Sequence, residues 1–138
     1  MKTLSTLLIL VFSADQILGR TTSTGDAGMS CFLSVSNLQH SGKGTNPDTY
    51  YKLSVNGEYI RGSKKDVRRD MKASLWQFDL DSVLEDSDII EVVWMDYDRG
   101  FWNSDDHLGT STFKFGDGGG NFVTKDVEAR NVFTCSEK

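Results

Sequence analysis

The stretch that decides the fold is TYYKLSVNGEYIRG, Thr49 to Gly62. Asn56-Gly57 is the dipeptide best suited to a two-residue hairpin turn, because both positions then need a positive φ. The residues on either side are β-branched, aromatic and alternating, as half-buried strands are. A hairpin here predicts that the rest of the chain is built the same way. Working outward, CFLSVSNL (Cys31–Leu38) sets Cys31, Leu33 and Val35 on one face with Ser34 and Ser36 opposite. ASLWQFDLDSV alternates Trp76, Phe78 and Leu80 against Leu75, Gln77 and Asp79. DIIEVVWMDYD, LGTSTFKF and NFVTKDVEARNVFTC supply further strands, the last of these one or two. HSGKGTNPD (His40–Asp48) and GDGGG read as loop and turn. The pattern predicts an all-β chain, an eight-stranded antiparallel β-sandwich, with one short helix possible near Ser82 to Asp88. A sandwich gathers its loops at two ends, so loops far apart in sequence meet in space.

The chain opens MKTLSTLLILVFSADQILGR. A lysine, an apolar run from Leu4 to Phe12 and then small residues are the layout of a secretory signal peptide. The run is shorter than the ~20 apolar residues that a bilayer span needs. We assign residues 1–19 to a signal peptide, 20–28 to a flexible leader and 29–138 to one domain, in a secreted protein. Secretion gives the two cysteines a meaning. In an oxidising compartment Cys31 and Cys135 pair. In the chain-entropy account a bridge over so long a loop stabilises by about 4 to 5 kcal/mol. It also brings the first and last strands side by side.

Net charge is −5, which argues against nucleic acid as a partner. The charge is uneven. RGSKKDVRRDMK (Arg61–Lys72) is basic, whereas MDYDRGFWNSDDHLG (Met95–Gly109) carries Asp96, Asp98, Asp105 and Asp106. Carboxylates held together repel unless a cation lies between them. An all-oxygen set suits calcium, which tolerates irregular geometry, better than magnesium. There is no cysteine–histidine set for zinc, and the loop lacks the EF-hand pattern. His107 reads as an ordinary loop histidine. No serine–histidine or cysteine–histidine arrangement suggests an enzyme. Phe101 and Trp102 sit at the tip of the acidic loop, where water would normally exclude two large apolar rings.

TNPDTYYKL followed by VVWMDYDRGFWNSDDHLG resembles the C2 domains, β-sandwiches that bind calcium and phospholipid. The resemblance covers most of Cys31 to Phe133. Asp48, one residue, then Tyr50 and an alternating strand match the end of that family's first calcium loop, with Thr49 where proline is usual. Asp96, Asp98 and Asp106 with Gly109 match its third loop, and Trp76 falls where an aromatic often precedes the middle strand. The resemblance implies a C2-like sandwich with calcium-binding loops at one end. It implies Ca2+ held by Asp48, Asp96, Asp98, Asp105 and Asp106, and a phospholipid membrane surface, anionic or zwitterionic, as partner. Phe101 and Trp102 would then enter the bilayer interface. Burying both rings would contribute roughly 3 to 6 kcal/mol, and basic side chains from Arg61 to Lys72 about 1 kcal/mol each near anionic lipid. In its secreted, disulfide-bonded, aspartate-rich character the chain is similar to the C-terminal C2 domain of perforin, which suggests an accessory to a pore-forming or defence protein. The family's earlier first-loop aspartate falls on Gly42 here, and the third loop is longer than is common. Asn46, backbone carbonyls or Asp105 could fill the gap. The missing aspartate leaves a second expectation open, a secreted protein- or glycan-interaction domain with structural calcium or none.

Overall fold

The computed structural model describes residues 28–38, 46–69, 71–100, 104–123 and 128–138. The segments read as signal peptide and most of the leader, together with Gly42, Phe101 and Trp102, lie outside them. Eight strands follow in order: β1 Met29–Ser36, β2 Thr49–Val55, β3 Glu58–Gly62, β4 Ser74–Leu80, β5 Ile89–Asp96, β6 Asp106–Lys114, β7 Gly119–Val123 and β8 Glu128–Glu137. They form two antiparallel four-stranded sheets, ordered β4-β1-β8-β7 and β3-β2-β5-β6. The all-β sandwich expected from the alternation is what the chain builds.

Alternation decides which side chains meet between the sheets. Leu33, Val35, Tyr51, Leu53, Trp76, Phe78, Val92, Trp94 and Phe133 are all buried there. Tyr51 is the hub. Its ring lies 5.3 Å from Trp76, edge to face, and 6.0 Å from both Phe78 and Trp94. Edge-to-face and tilted pairs of this kind add to the area term because ring edges are positive and ring faces negative. The Asn56-Gly57 turn forms as expected, with φ +50° and +83°. The first and last strands run side by side, Cys31 directly opposite Cys135, and the two cysteines form a disulfide.

The register slips twice, and both slips matter for packing. Between β5 and β6 Trp94 faces Gly109 while Met95 faces His107. The extra residue, Leu108, is thereby turned inward and buried. Between β2 and β3 Leu53 faces Arg61 while Ser54 faces Tyr59. Arg61 consequently points between the sheets, and its guanidinium lies 4.2 Å over the Phe78 ring. Gly119 is held at φ +148° against β8, where a Cβ would run into the Asn131 carbonyl. This glycine of GDGGG therefore has a steric reason.

The helix expected near Ser82 to Asp88 is absent. Those residues form bends and a turn, and the described helical content is a single 3₁₀ turn at Phe115–Asp117. The aspartate there competes with helix hydrogen bonding. Asp88 Oδ2 accepts the Glu85 N–H at 2.8 Å, and the Asp88 N–H donates to the Glu85 carbonyl at 2.9 Å. Leu84 is drawn into the core, its N–H on the Met29 sulfur at 3.2 Å.

Candidate functional site

Described residues of three connections meet at one end of the β3-β2-β5-β6 sheet: 46–48 before β2, 63–69 after β3, and 97–100 with 104–105 between β5 and β6. Antiparallel pairing forces this. Thr49 at the start of β2 faces Asp96 at the end of β5, and Asp96 faces Asp106 at the start of β6. The link is also direct. The Asp48 N–H donates to Asp96 Oδ1 at 2.8 Å, and the Tyr97 N–H donates to the Asp48 carbonyl at 2.7 Å. Asp96 is only 7% exposed, so its carboxylate is held by this hydrogen bond inside the rim. Asp48 and Asp98 are half-buried and Asp106 is exposed.

Asp105 has a different environment. Its Oδ2 accepts the Tyr50 hydroxyl at 2.6 Å and pairs with the Lys64 ammonium at 2.7 Å, and its Oδ1 accepts the Asp98 N–H at 3.2 Å. Burial by itself raises its pKa. The hydrogen bonds from Lys64, Tyr50 and the Asp98 amide, with the Lys64 charge, outweigh that and hold the carboxyl below the ordinary value. Tyr50 is affected the opposite way. Burial first, then the carboxylate it donates to, push its hydroxyl far up, so it stays a donor at any ordinary pH. The Lys64 ammonium also lies 5.7 Å from the centres of the Tyr50 and Tyr97 rings.

The backbone explains why Lys64 arrives there. Ser63 and Tyr51 are tied twice, Ser63 N–H to the Tyr51 carbonyl and Tyr51 N–H to Ser63 Oγ, both at 3.0 Å. Farther along, Thr49 and Arg68 exchange backbone hydrogen bonds at 2.7 and 2.9 Å. The connection is thus fastened along β2, and Lys64 is carried over Tyr50. The rest of the basic stretch divides. Arg61 packs inside against Phe78, and it opposes the burial that pushes the Tyr51 hydroxyl up to about 12. Arg68 pairs with Asp66 at 3.0 Å and lies 5.6 Å over Trp76. Lys65, Arg69 and Lys72 are exposed.

All five aspartates singled out from sequence, Asp48, Asp96, Asp98, Asp105 and Asp106, are therefore at this end. Sequence reasoning missed Lys64 and Tyr50. The only signal was Lys64-Lys65 beside an acidic loop, which does not say which lysine turns inward. His107 is exposed, with Nε2 2.9 Å from the Thr110 hydroxyl.

For calcium, the donor chemistry fits, since the candidate side-chain atoms are all oxygens, carboxylate from the aspartates and amide from Asn46. Asp48, Asp96, Asp98 and Asp106 are the carboxylates that would hold the ion, and Asp105 is engaged by the Lys64 ammonium. Among the described residues, no three acidic, histidine or cysteine side chains are gathered closely enough to hold a metal as they stand.

No protein-family model matches the sequence, and no curated protein does. Solved structures do. The second-lettered C2 domain of BON1, its domain B, superposes with a TM-score of 0.62 at 14% identity, over 86% of this chain and 99% of that one. A C2 domain of plant extended synaptotagmin 1, its domain A, gives 0.56 at 12% identity, over 82% and 96%. A further C2 domain gives 0.54 at 20% identity, over 80% and 98%. At such identities the likeness is one of fold: this chain has the architecture of the C2 domains.

Proposed function

We propose that this protein is a secreted module that binds phospholipid membranes in a calcium-dependent way, through the end of the sandwich where Asp48 and Asp96 meet. The observation that carries the reading is the Asp48–Asp96 hydrogen bond, 2.8 Å across a separation of 48 residues. It supports one acidic rim drawn from two distant loops. Phe101 and Trp102 follow in sequence at the tip of the second of these loops. Asp48, Asp96, Asp98 and Asp106 are the ligands in this reading, and Phe101 and Trp102 enter the bilayer interface. Calcium, when bound, supplies positive charge that reverses the sign of the rim toward anionic headgroups. The exposed Lys65, Arg69 and Lys72 add attraction of their own, each about 1 kcal/mol near an anionic surface. The disulfide supports secretion, since such bridges persist in oxidising compartments. We assign no catalytic residue, and the module fits an accessory to a pore-forming or defence protein, similar in character to perforin's C2 domain.

The test is sedimentation of the purified protein with phosphatidylserine and with phosphatidylcholine vesicles, in calcium and in chelator. Binding that appears only with calcium supports the reading; binding indifferent to the chelator, or absent throughout, overturns it. One observation favours the alternative of a protein- or glycan-interaction domain with structural calcium or none. Asp105 is already neutralised by Lys64, so the rim is less in need of an external cation than its aspartates suggest.

A further inference from the structure

Lys64 is a charged group in unusual company. Its ammonium is placed against an enclosed rim carboxylate: the Asp105 side chain is 11% exposed, that of Lys64 60%. The same Asp105 oxygen takes the Tyr50 hydroxyl, and the other takes the Asp98 amide. Two aromatic rings flank the ammonium at equal distance, one from β2 and one from the residue that follows β5. The connection that carries it is fastened to β2 by backbone hydrogen bonds before and after the lysine. This is a cation delivered to the rim by the fold itself.

We infer that Lys64 is a tethered competitor of the divalent cation: it sets the calcium threshold of the rim by occupying Asp105 until calcium displaces it. The inference rests on the calcium reading given above and adds how that site is regulated. An ion that drew on Asp105 would have to break a short ion pair and replace a hydroxyl donor. An ion that did not would sit beside a fixed positive charge, and like charges at short range raise each other's cost of binding. Because the lysine is more than half exposed, its tether is weak enough to yield. A raised threshold suits a protein that works where calcium is plentiful, since extracellular modules operate near ~10⁻⁴ to 10⁻³ M.

The experiment is calorimetric titration of calcium into the purified wild-type protein, Lys64→Gln and Lys64→Arg, with thermal melting of each in chelator as a check on folding. Lys64→Gln is expected to bind calcium about fivefold more tightly, the scale of one partly exposed ion pair, or to take up an additional ion, whereas Lys64→Arg tracks the wild type. Calcium binding by Lys64→Gln alone supports the inference as well. If wild type and Lys64→Gln both bind calcium and titrate alike, the competitor is overturned while the calcium reading stands. If none of the three proteins binds calcium, both fall. A loss of calcium affinity in Lys64→Gln, with melting unchanged, overturns the inference too, because Lys64 would then be supporting the site.

Discussion

The two ends of the β3-β2-β5-β6 sheet each hold an aspartate that ties loops together, and they do it in opposite ways. At one end Asp88 takes the Asn56 side-chain amide on Oδ1 and the Glu85 N–H on Oδ2, both at 2.8 Å, while the Ile89 N–H donates to Asn56 Oδ1 at 2.8 Å. Every donor is neutral, and the arrangement closes on itself. At the other end Asp105 takes a hydroxyl, an amide and an ammonium, and Asp48, Asp96, Asp98 and Asp106 share that end with it. The first end is a structural knot. The second gathers five aspartates from two separate loops, one of them paired with a lysine, and this gathering is the reason to look for function there.

The largest effect belongs to neither end but to the disulfide between β1 and β8 of the other sheet. Replacing Cys31 and Cys135 by alanine is expected to lower stability by about 4 kcal/mol, measured by urea unfolding, with vesicle binding of the folded fraction unchanged. Next comes the open end. Phe101→Ala with Trp102→Ala should weaken calcium-dependent vesicle binding by about two to four orders of magnitude, as expected for two rings leaving the interface, and leave unfolding as it was. A stability loss instead would show that the rings cover the sandwich.

Two smaller effects divide the ends more finely. Asn56→Ala removes two hydrogen bonds and a residue that tolerates φ +50°. It is expected to cost about 1 to 2 kcal/mol in stability with no change in lipid binding. Asp98→Asn should do the reverse, weakening calcium binding by calorimetry while the melting temperature in chelator holds. The smallest effect is acid sensitivity. Hydrogen bonds from Glu85 and Asn56 hold the Asp88 carboxyl below its ordinary 3.8. A carboxyl depressed in the folded state stabilises above its unfolded pKa, and that contribution is lost as pH falls through the folded value. Asp88→Asn should therefore flatten the fall in urea midpoint below about pH 4. Asp105, depressed through Lys64, Tyr50 and Asp98 against the effect of burial, should behave likewise at the other end.

Much of this was legible in the sequence, and the reasons are local. The period-two pattern of Trp76, Phe78 and Leu80, and of Val92 and Trp94, survives folding because each strand has one face to bury. Asn56-Gly57 fixes its turn through backbone sterics that neighbours hardly alter. The Ser82–Asp88 helix does not form for an equally local reason: the aspartate at its end hydrogen-bonds nearby backbone instead. The two bulges were not legible, since nothing in the composition of Ile60 or Leu108 marks an extra residue. Without them Arg61 would face solvent with the rest of the basic stretch.

The strands, the hairpin, the cysteine pair and the aspartates at 96, 98, 105 and 106 are thus readable residue by residue. That Lys64 and not Lys65 meets Asp105, that Tyr50 is buried beneath them and that Asp48 holds Asp96 emerge in the folded chain alone. Strand periodicity is written in neighbouring residues, whereas an ion pair depends on register and loop path between segments dozens of residues apart. Those are fixed only when the sheets have paired.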